Sequence, residues 1–308
     1  MTLFRRDSSA DRAFRRAKRL DRRGRLDAAI DALSGTDLAL EPRHERYLVD
    51  LRHRAFFSHR ASSSLTQWPP AHHDLQVTKG DFPEIHRSRL DASTMWSGVF
   101  GHGCLVVRDL LPADDVARLR ECINNAYESH DRFTRAGSPD PEDPWFFPFV
   151  PSPQNGVTDE LNRGWYRDSG AELAADSPRS LLTVIEMLRR IGITTHIADY
   201  LGERPALSVR KTSLRRIPRD INSEHGWHQD GAFLGKGIRT VNLWIALTDC
   251  GVDAPSMDMV PKRLNHIVPS GTEGAVFEWS VSGLAVAEAA GDTPPKRMHF
   301  RAGDAVLS

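Results

Sequence analysis

The sequence predicts an α+β protein, a β-rich core with helical flanks. Three observations carry this. Apolar residues recur at helical spacing up to about residue 57 and again between 112 and 200. Beyond residue 205, short apolar runs are separated by turn residues at close intervals, as in an all-β sandwich or barrel. Helices first and strands later favour a segregated arrangement over alternating βαβ units.

Bulk properties narrow the class. The 308 residues fit one large domain with an appendage, or two domains. Lysine plus arginine and aspartate plus glutamate both number 41, so the zero net charge excludes a strongly cationic nucleic-acid binder. No apolar run is long enough for a transmembrane helix, and the arginine-rich start has no apolar signal segment. Cys104, Cys122 and Cys250 form no CxxC pair, which predicts free thiols, a reducing compartment and a cytoplasmic location.

Residues 1–57 read as a helical appendage. Ser9 caps a first stretch carrying Phe14, Ala17 and Leu20, Gly24-Arg25 interrupts it, and Leu26, Ala29, Ile30 and Leu33 begin a second. A third follows Pro42. Leu20, Gly24, Ala29, Ile30, Leu33 and Pro42 resemble a tetratricopeptide-like helical hairpin. Only about one and a half repeats are present, where arrays need three or more, so a packed helical cap is expected. Residues 1–30 carry ten basic and four acidic side chains, a local +6 against −6 in the remainder. A protein or anionic partner at these helices is one reading and a solvated helix face the other.

Residues 58–95, with Ser62 to Ser64 and Pro69-Pro70, read as a linker or wrapping loop. The core domain is expected over 96–308. Gly103 to Leu111 reads as a strand, and Pro112 opens a helix with Val116, Leu119, Ile123 and Ala126 on one face. Residues 131–176 form a long loop rich in Pro, Gly and aromatics. The stretch 144–166, with Trp145 and Trp165, is read as a lid over an apolar substrate or as a loop packed on the core. A helix runs from Pro178 towards Tyr200. Strands are expected at 206–216, 225–230, 239–247, 256–260, 264–268, 283–288 and 297–308.

The chemistry centres on the run Glu224 to Gly231. In a strand, residues two apart share a face, so His228 and Asp230 would point the same way. An imidazole and a carboxylate together supply two ligands of a 2-His-1-carboxylate iron triad, which leaves positions for a chelating co-substrate and dioxygen. A second HxD, His72 to Asp74, lies in a stretch without apolar alternation and reads as loop.

Several features follow in a fixed order. They are the strand Thr240 to Asp249, the run Ser256 to Pro261, Asn265-His266, and the Gly303-Asp304 turn entering an apolar strand. Together with Gly103 to Leu111 and its helix, they resemble the phytanoyl-CoA dioxygenase family over about 97–308. The resemblance implies an Fe(II)- and 2-oxoglutarate-dependent dioxygenase that hydroxylates an unidentified small organic substrate. It implies a double-stranded β-helix, a jelly-roll, cupin-like core. His228 and Asp230 match the family's HxD metal ligands, and Trp244 matches a position that often contacts 2-oxoglutarate. Lys211 and Arg215 alternate onto one face of the strand before the motif and are candidate co-substrate contacts, or else an exposed basic face. A carboxylate at Asp230, where halogenating relatives have a small residue, implies hydroxylation.

The sequence departs from that pattern at its end. The family's third ligand, a second His beyond the Gly-Asp turn, would fall near ~315, with the 2-oxoglutarate Arg about ten residues further. The expectation is a chain truncated at Ser308 and inactive in this form. His225, His266 and His299 are read as structural or supporting rather than ligating. The rival readings are a non-catalytic jelly-roll binding protein with a helical partner-binding hairpin, and a cupin-type metal enzyme that needs no 2-oxoglutarate.

Overall fold

The computed structural model describes residues 8–35, 38–58, 65–151, 163–217, 226–233, 238–272 and 274–308. Its helices are α1 (Ser9–Asp21), α2 (Leu26–Leu33), α3 (Pro42–Ser58), α4 (Ala92–His102), α5 (Ala113–Ala136), α6 (Arg163–Asp168), α7 (Pro178–Arg190), α8 (Ile193–Leu201) and α9 (Gly283–Ala290). Its strands are β1 (Glu84–His86), β2 (Leu105–Arg108), β3 (Ala171–Leu173), β4 (Ser213–Arg215), β5 (Leu243–Ile245), β6 (Asp258–Met259), β7 (Lys296–Arg297) and β8 (Ala305–Leu307). The fold is mixed α+β. The chain forms two compact units, each assembled from separated stretches. One comprises Met1–Ala61, Leu119–Leu188 and Ala206–Arg216, the other Ser62–Arg118, Arg189–Pro205 and Ile217–Ser308. These units divide the chain differently from the contiguous segments 1–57, 58–95 and 96–308.

In the first unit, Ser8 rather than Ser9 caps α1. Its hydroxyl accepts from the Asp11 N–H at 3.0 Å while the Asp11 carboxylate accepts from the Ser8 N–H, a capping box. Ala17 of α1, Ala29, Ile30 and Leu33 of α2, and Leu48 and Leu51 of α3 form one buried cluster. Its apolar spacing is what predicted the three helices. Arg54 of α3 grips Asp21 through two nitrogens, each at 2.8 Å, and the Tyr47 hydroxyl donates to the same carboxylate. Arg16, Arg19, Arg22, Arg23 and Arg25 are exposed. The unit also holds the antiparallel pair β3–β4.

The second unit contains a four-stranded sheet in the order β1-β2-β8-β5. The β1–β2 pair is parallel, and β8 runs antiparallel to both β2 and β5. Val106, Val306 and Trp244 stand in register across three strands. They face a buried cluster with Cys104, Ala246, Cys250, Met298 and Phe300, and the opposite face, with Leu105, Val107, Ala305 and Leu307, is buried too. Strand β1 falls inside the stretch expected to be a linker. It is three residues long, and its pairing partner lies some twenty residues on, so local pattern does not reveal it. The strand expected at 283–288 is instead α9. The Ser282 hydroxyl caps it by accepting from Ala285 N at 3.2 Å, and its alanine-rich interior buries Val286 and Ala290 one turn apart. No helix among the described residues is long and apolar enough to cross a membrane.

The last strand is entered through Gly303-Asp304. Gly303 has φ +100°, and a Cβ there would lie 2.6 Å from the Leu111 carbonyl oxygen, so only glycine fits. The buried Asp304 carboxylate accepts from the backbone N–H groups of Asp109 (2.9 Å) and Arg301 (2.8 Å) and from Arg108 Nη1 (2.7 Å). Arg108 also reaches Glu84 and the His299 carbonyl. One carboxylate thereby ties β8 to the end of β2.

Candidate metal centre

The HxD segment is held by its backbone, though not as the strand expected at 225–230. Glu224 and His225 lie outside the described residues. Gly226 has φ +72°, the Trp227 carbonyl accepts from the Val281 N–H at 2.7 Å in an isolated bridge, and Asp230 opens a short 3-10 turn, Asp230–Phe233. A Cβ on Gly226 would lie 2.7 Å from Ser280 Cβ, and Ser280 is fully buried. Gly226→Ala is therefore expected to cost about 2 kcal/mol or more in stability, read as a lowered Tm.

The two predicted ligands still meet. His228 Nε2 lies 3.6 Å from Asp230 Oδ1, with both side chains about half exposed. The other imidazole nitrogen, Nδ1, faces the Gly226 carbonyl oxygen at 3.5 Å. A proton on Nδ1 would leave the Nε2 lone pair directed towards the carboxylate. Two donors bound side by side to one first-row ion stand about 3 Å apart, so the observed pair needs only a small closure to share a metal. The donor set, neutral imidazole nitrogen plus carboxylate oxygen, suits Fe(II).

Two neighbours position the pair. Asn242 Nδ2 donates to Asp230 Oδ2 at 2.6 Å, and the Asn242 backbone pairs in both directions with Ser308, which extends the β5–β8 ladder. Gln229 donates through Nε2 to the His266 carbonyl (3.1 Å) and accepts from Val268 N–H (2.6 Å), pinning the motif to the 266–268 loop. His266 thus serves through its backbone. The His228 ring lies edge-to-face against Trp279 (5.9 Å between centroids), which stacks on Phe277. Asn242→Ala leaves the backbone ladder intact and frees one carboxylate oxygen. It is expected to weaken Co(II) binding roughly tenfold without a comparable drop in Tm.

The remaining predicted residues are distributed as follows. Trp244 is half-buried on the core face of β5, its ring 4.8 Å from that of Phe300. It shares a strand face with Asn242, two residues earlier. Lys211 and Arg215 belong to the other compact unit. The stretch expected as one strand, 206–216, is a 3-10 turn over Val209–Lys211 followed by β4. Lys211 N–H and the Thr212 hydroxyl both turn back to the Ser208 carbonyl, so Lys211 and Arg215 do not alternate along a common strand. His299 contributes its carbonyl to Arg108.

Among the described residues, no third His, Cys or carboxylate completes a cluster with His228 and Asp230. One three-residue cluster does occur, Asp11, Glu41 and His44. A cation already occupies its centre, since Arg43 bonds Asp11 at 2.6 Å and Glu41 at 3.1 Å. His44 Nδ1 accepts from the Glu41 N–H, which puts the ring proton on Nε2, and burial lowers the pKa of this imidazole. That cluster is an electrostatic cap on the helical bundle.

Neither Asn242 nor Gln229 was legible as a site residue, because each acts through a partner distant in sequence. Gln229 lay inside the quoted motif, but its type carries no signal of what it clamps. No curated protein and no solved structure matches the chain. A family model, Phytanoyl-CoA dioxygenase (PhyH), matches residues 101–307, about two-thirds of the chain. That span takes in His228, Asp230, their two positioning neighbours and the Gly303-Asp304 turn, and the chain belongs to the phytanoyl-CoA dioxygenase family.

Proposed function

We propose that the protein is an Fe(II)- and 2-oxoglutarate-dependent dioxygenase that hydroxylates a small organic substrate, with His228 and Asp230 holding the iron. Family members are 2-oxoglutarate-dependent dioxygenases that generally use Fe(II). The observation that carries the reading is the 3.6 Å approach of His228 Nε2 to Asp230 Oδ1 inside the matched span. A jelly-roll core around the four-stranded sheet belongs to the same proposal.

When bound, iron and 2-oxoglutarate would activate dioxygen for C–H hydroxylation, one oxygen atom going to the substrate and the other to succinate, with release of CO₂. The chain's own residues do the positioning. Asn242 fixes the Asp230 carboxylate, Gln229 anchors the segment between the ligands, and Trp244, on the same strand face as Asn242, packs against Phe300. The substrate is a small molecule, and the family name does not transfer phytanoyl-CoA to this chain.

A second reading rests on there being two, not three, ligands among the described residues: a non-catalytic jelly roll with its exposed arginine-rich helices turned to a protein partner. The experiment that separates them supplies Fe(II), ascorbate and 2-oxoglutarate and measures succinate. With two ligands among the described residues, succinate formation is expected to be low, and added imidazole should raise it by filling a coordination position. No succinate with imidazole, together with no change in the Co(II) absorption spectrum on mixing, would overturn the oxygenase reading in favour of the binding protein.

A further inference from the structure

A second concavity in the same unit, sharing no lining residue with the metal centre, has its own chemistry. It encloses about 440 Å³ between the short turn Arg87–Arg89, the segment after β2, and the α7–α8 junction. That volume is in the range of small-molecule sites. Its floor is aliphatic, with Leu90, Leu110 and Ile193 all buried. Its rim is basic, with Arg87, Arg190 and His196. Arg190 is already neutralised by an ion pair to the buried Asp115. The Arg87 and His196 side chains have no hydrogen bond or ion pair among the described residues.

We propose that this cavity binds a small aliphatic carboxylate, its head on Arg87 and His196 and its chain on the Leu90–Leu110–Ile193 floor. The pairing follows from the lining. A guanidinium presents a planar fork that matches a carboxylate, and a free imidazole adds one further donor. An apolar floor without polar groups rewards methylene groups and gives nothing to a second charge. The Asp115 carboxylate behind Arg190 works against a dianionic head, so a monoanion fits best.

Isothermal titration of the metal-free protein with acetate, butyrate, hexanoate and hexanol tests this. Affinity is expected to rise about fourfold per methylene along the acid series, with hexanol well below hexanoate. Arg87→Gln, at an exposed position that leaves the melt unchanged, should weaken hexanoate about tenfold and hexanol hardly at all. His196→Gln should weaken it less, and Asp230→Ala not at all. A flat chain-length series, hexanol binding as tightly as hexanoate, or indifference to Arg87→Gln would each overturn the proposal. Tighter binding of hexyl phosphate than of hexanoate would overturn the monoanion assignment.

Discussion

Asp230→Ala is expected to lower the affinity of the protein for Co(II), an oxygen-stable surrogate for Fe(II), by at least about 100-fold, while leaving Tm almost unchanged. The two readouts separate because of where the side chain sits. Asp230 is half exposed, and its contacts include one hydrogen bond from Asn242 and the approach to His228. Losing such a bond at an exposed position costs about 1 kcal/mol or less. Losing the one carboxylate of the ligand pair found among the described residues removes the charge that neutralises a divalent ion. Asp230→Asn sharpens the test. The amide oxygen can still accept from Asn242, so stability and local shape are kept, yet the ligand charge is gone and metal affinity should fall nearly as far. His228→Ala should match Asp230→Ala in affinity loss. If either alanine variant binds Co(II) like the wild type, the HxD pair is not the metal centre.

That these two side chains approach one another, although the local structure expected of them is absent, has a physical cause. The expectation rested on strand alternation, which places residues two apart on one face. The backbone is no strand here: Gly226 takes a left-handed conformation and a 3-10 turn begins at Asp230. The side chains converge because Gln229, between them, is tied on both amide atoms to the 266–268 loop. The α1–α3 bundle was legible because its apolar spacing and helix caps are local signals. By contrast, β1 was hidden because three residues form a strand only through pairing with β2. Helix α9 was read as a strand because Gly283 to Glu288 is apolar and short, where periodicity alone cannot arbitrate. Asn242 was invisible for the same reason as β1, since its partner Asp230 comes from a different segment. Local chemistry was thus legible, whereas contacts made through tertiary placement were not.

The Gly303-Asp304 turn supplies the largest expected effect on folding. Asp304→Ala should destabilise the protein by about 3–5 kcal/mol, read as a Tm loss of roughly 5–8 °C. The carboxylate is 1% exposed and accepts three hydrogen bonds, two of them from backbone N–H groups. Alanine leaves the Asp109 and Arg301 N–H groups without their acceptor and strips Arg108 of one of its two carboxylates. Water can reach Arg108, which is partly exposed, more easily than the two amides, so most of the cost arises from the amides. Burial pushes the Asp304 carboxyl up, but the donated hydrogen bonds from Asp109, Arg301 and Arg108, with the Arg108 charge, outweigh it and hold the pKa below the ordinary value. A depressed carboxylate pKa contributes stability above the unfolded-state value near 4 and loses it as pH falls through the folded-state value. Wild-type stability should therefore fall steeply with acid below about pH 4, whereas Asp304→Asn, less stable at neutral pH, should show a shallower acid limb. Parallel acid limbs for the two proteins would show that Asp304 is not the carboxylate that holds β8 against β2.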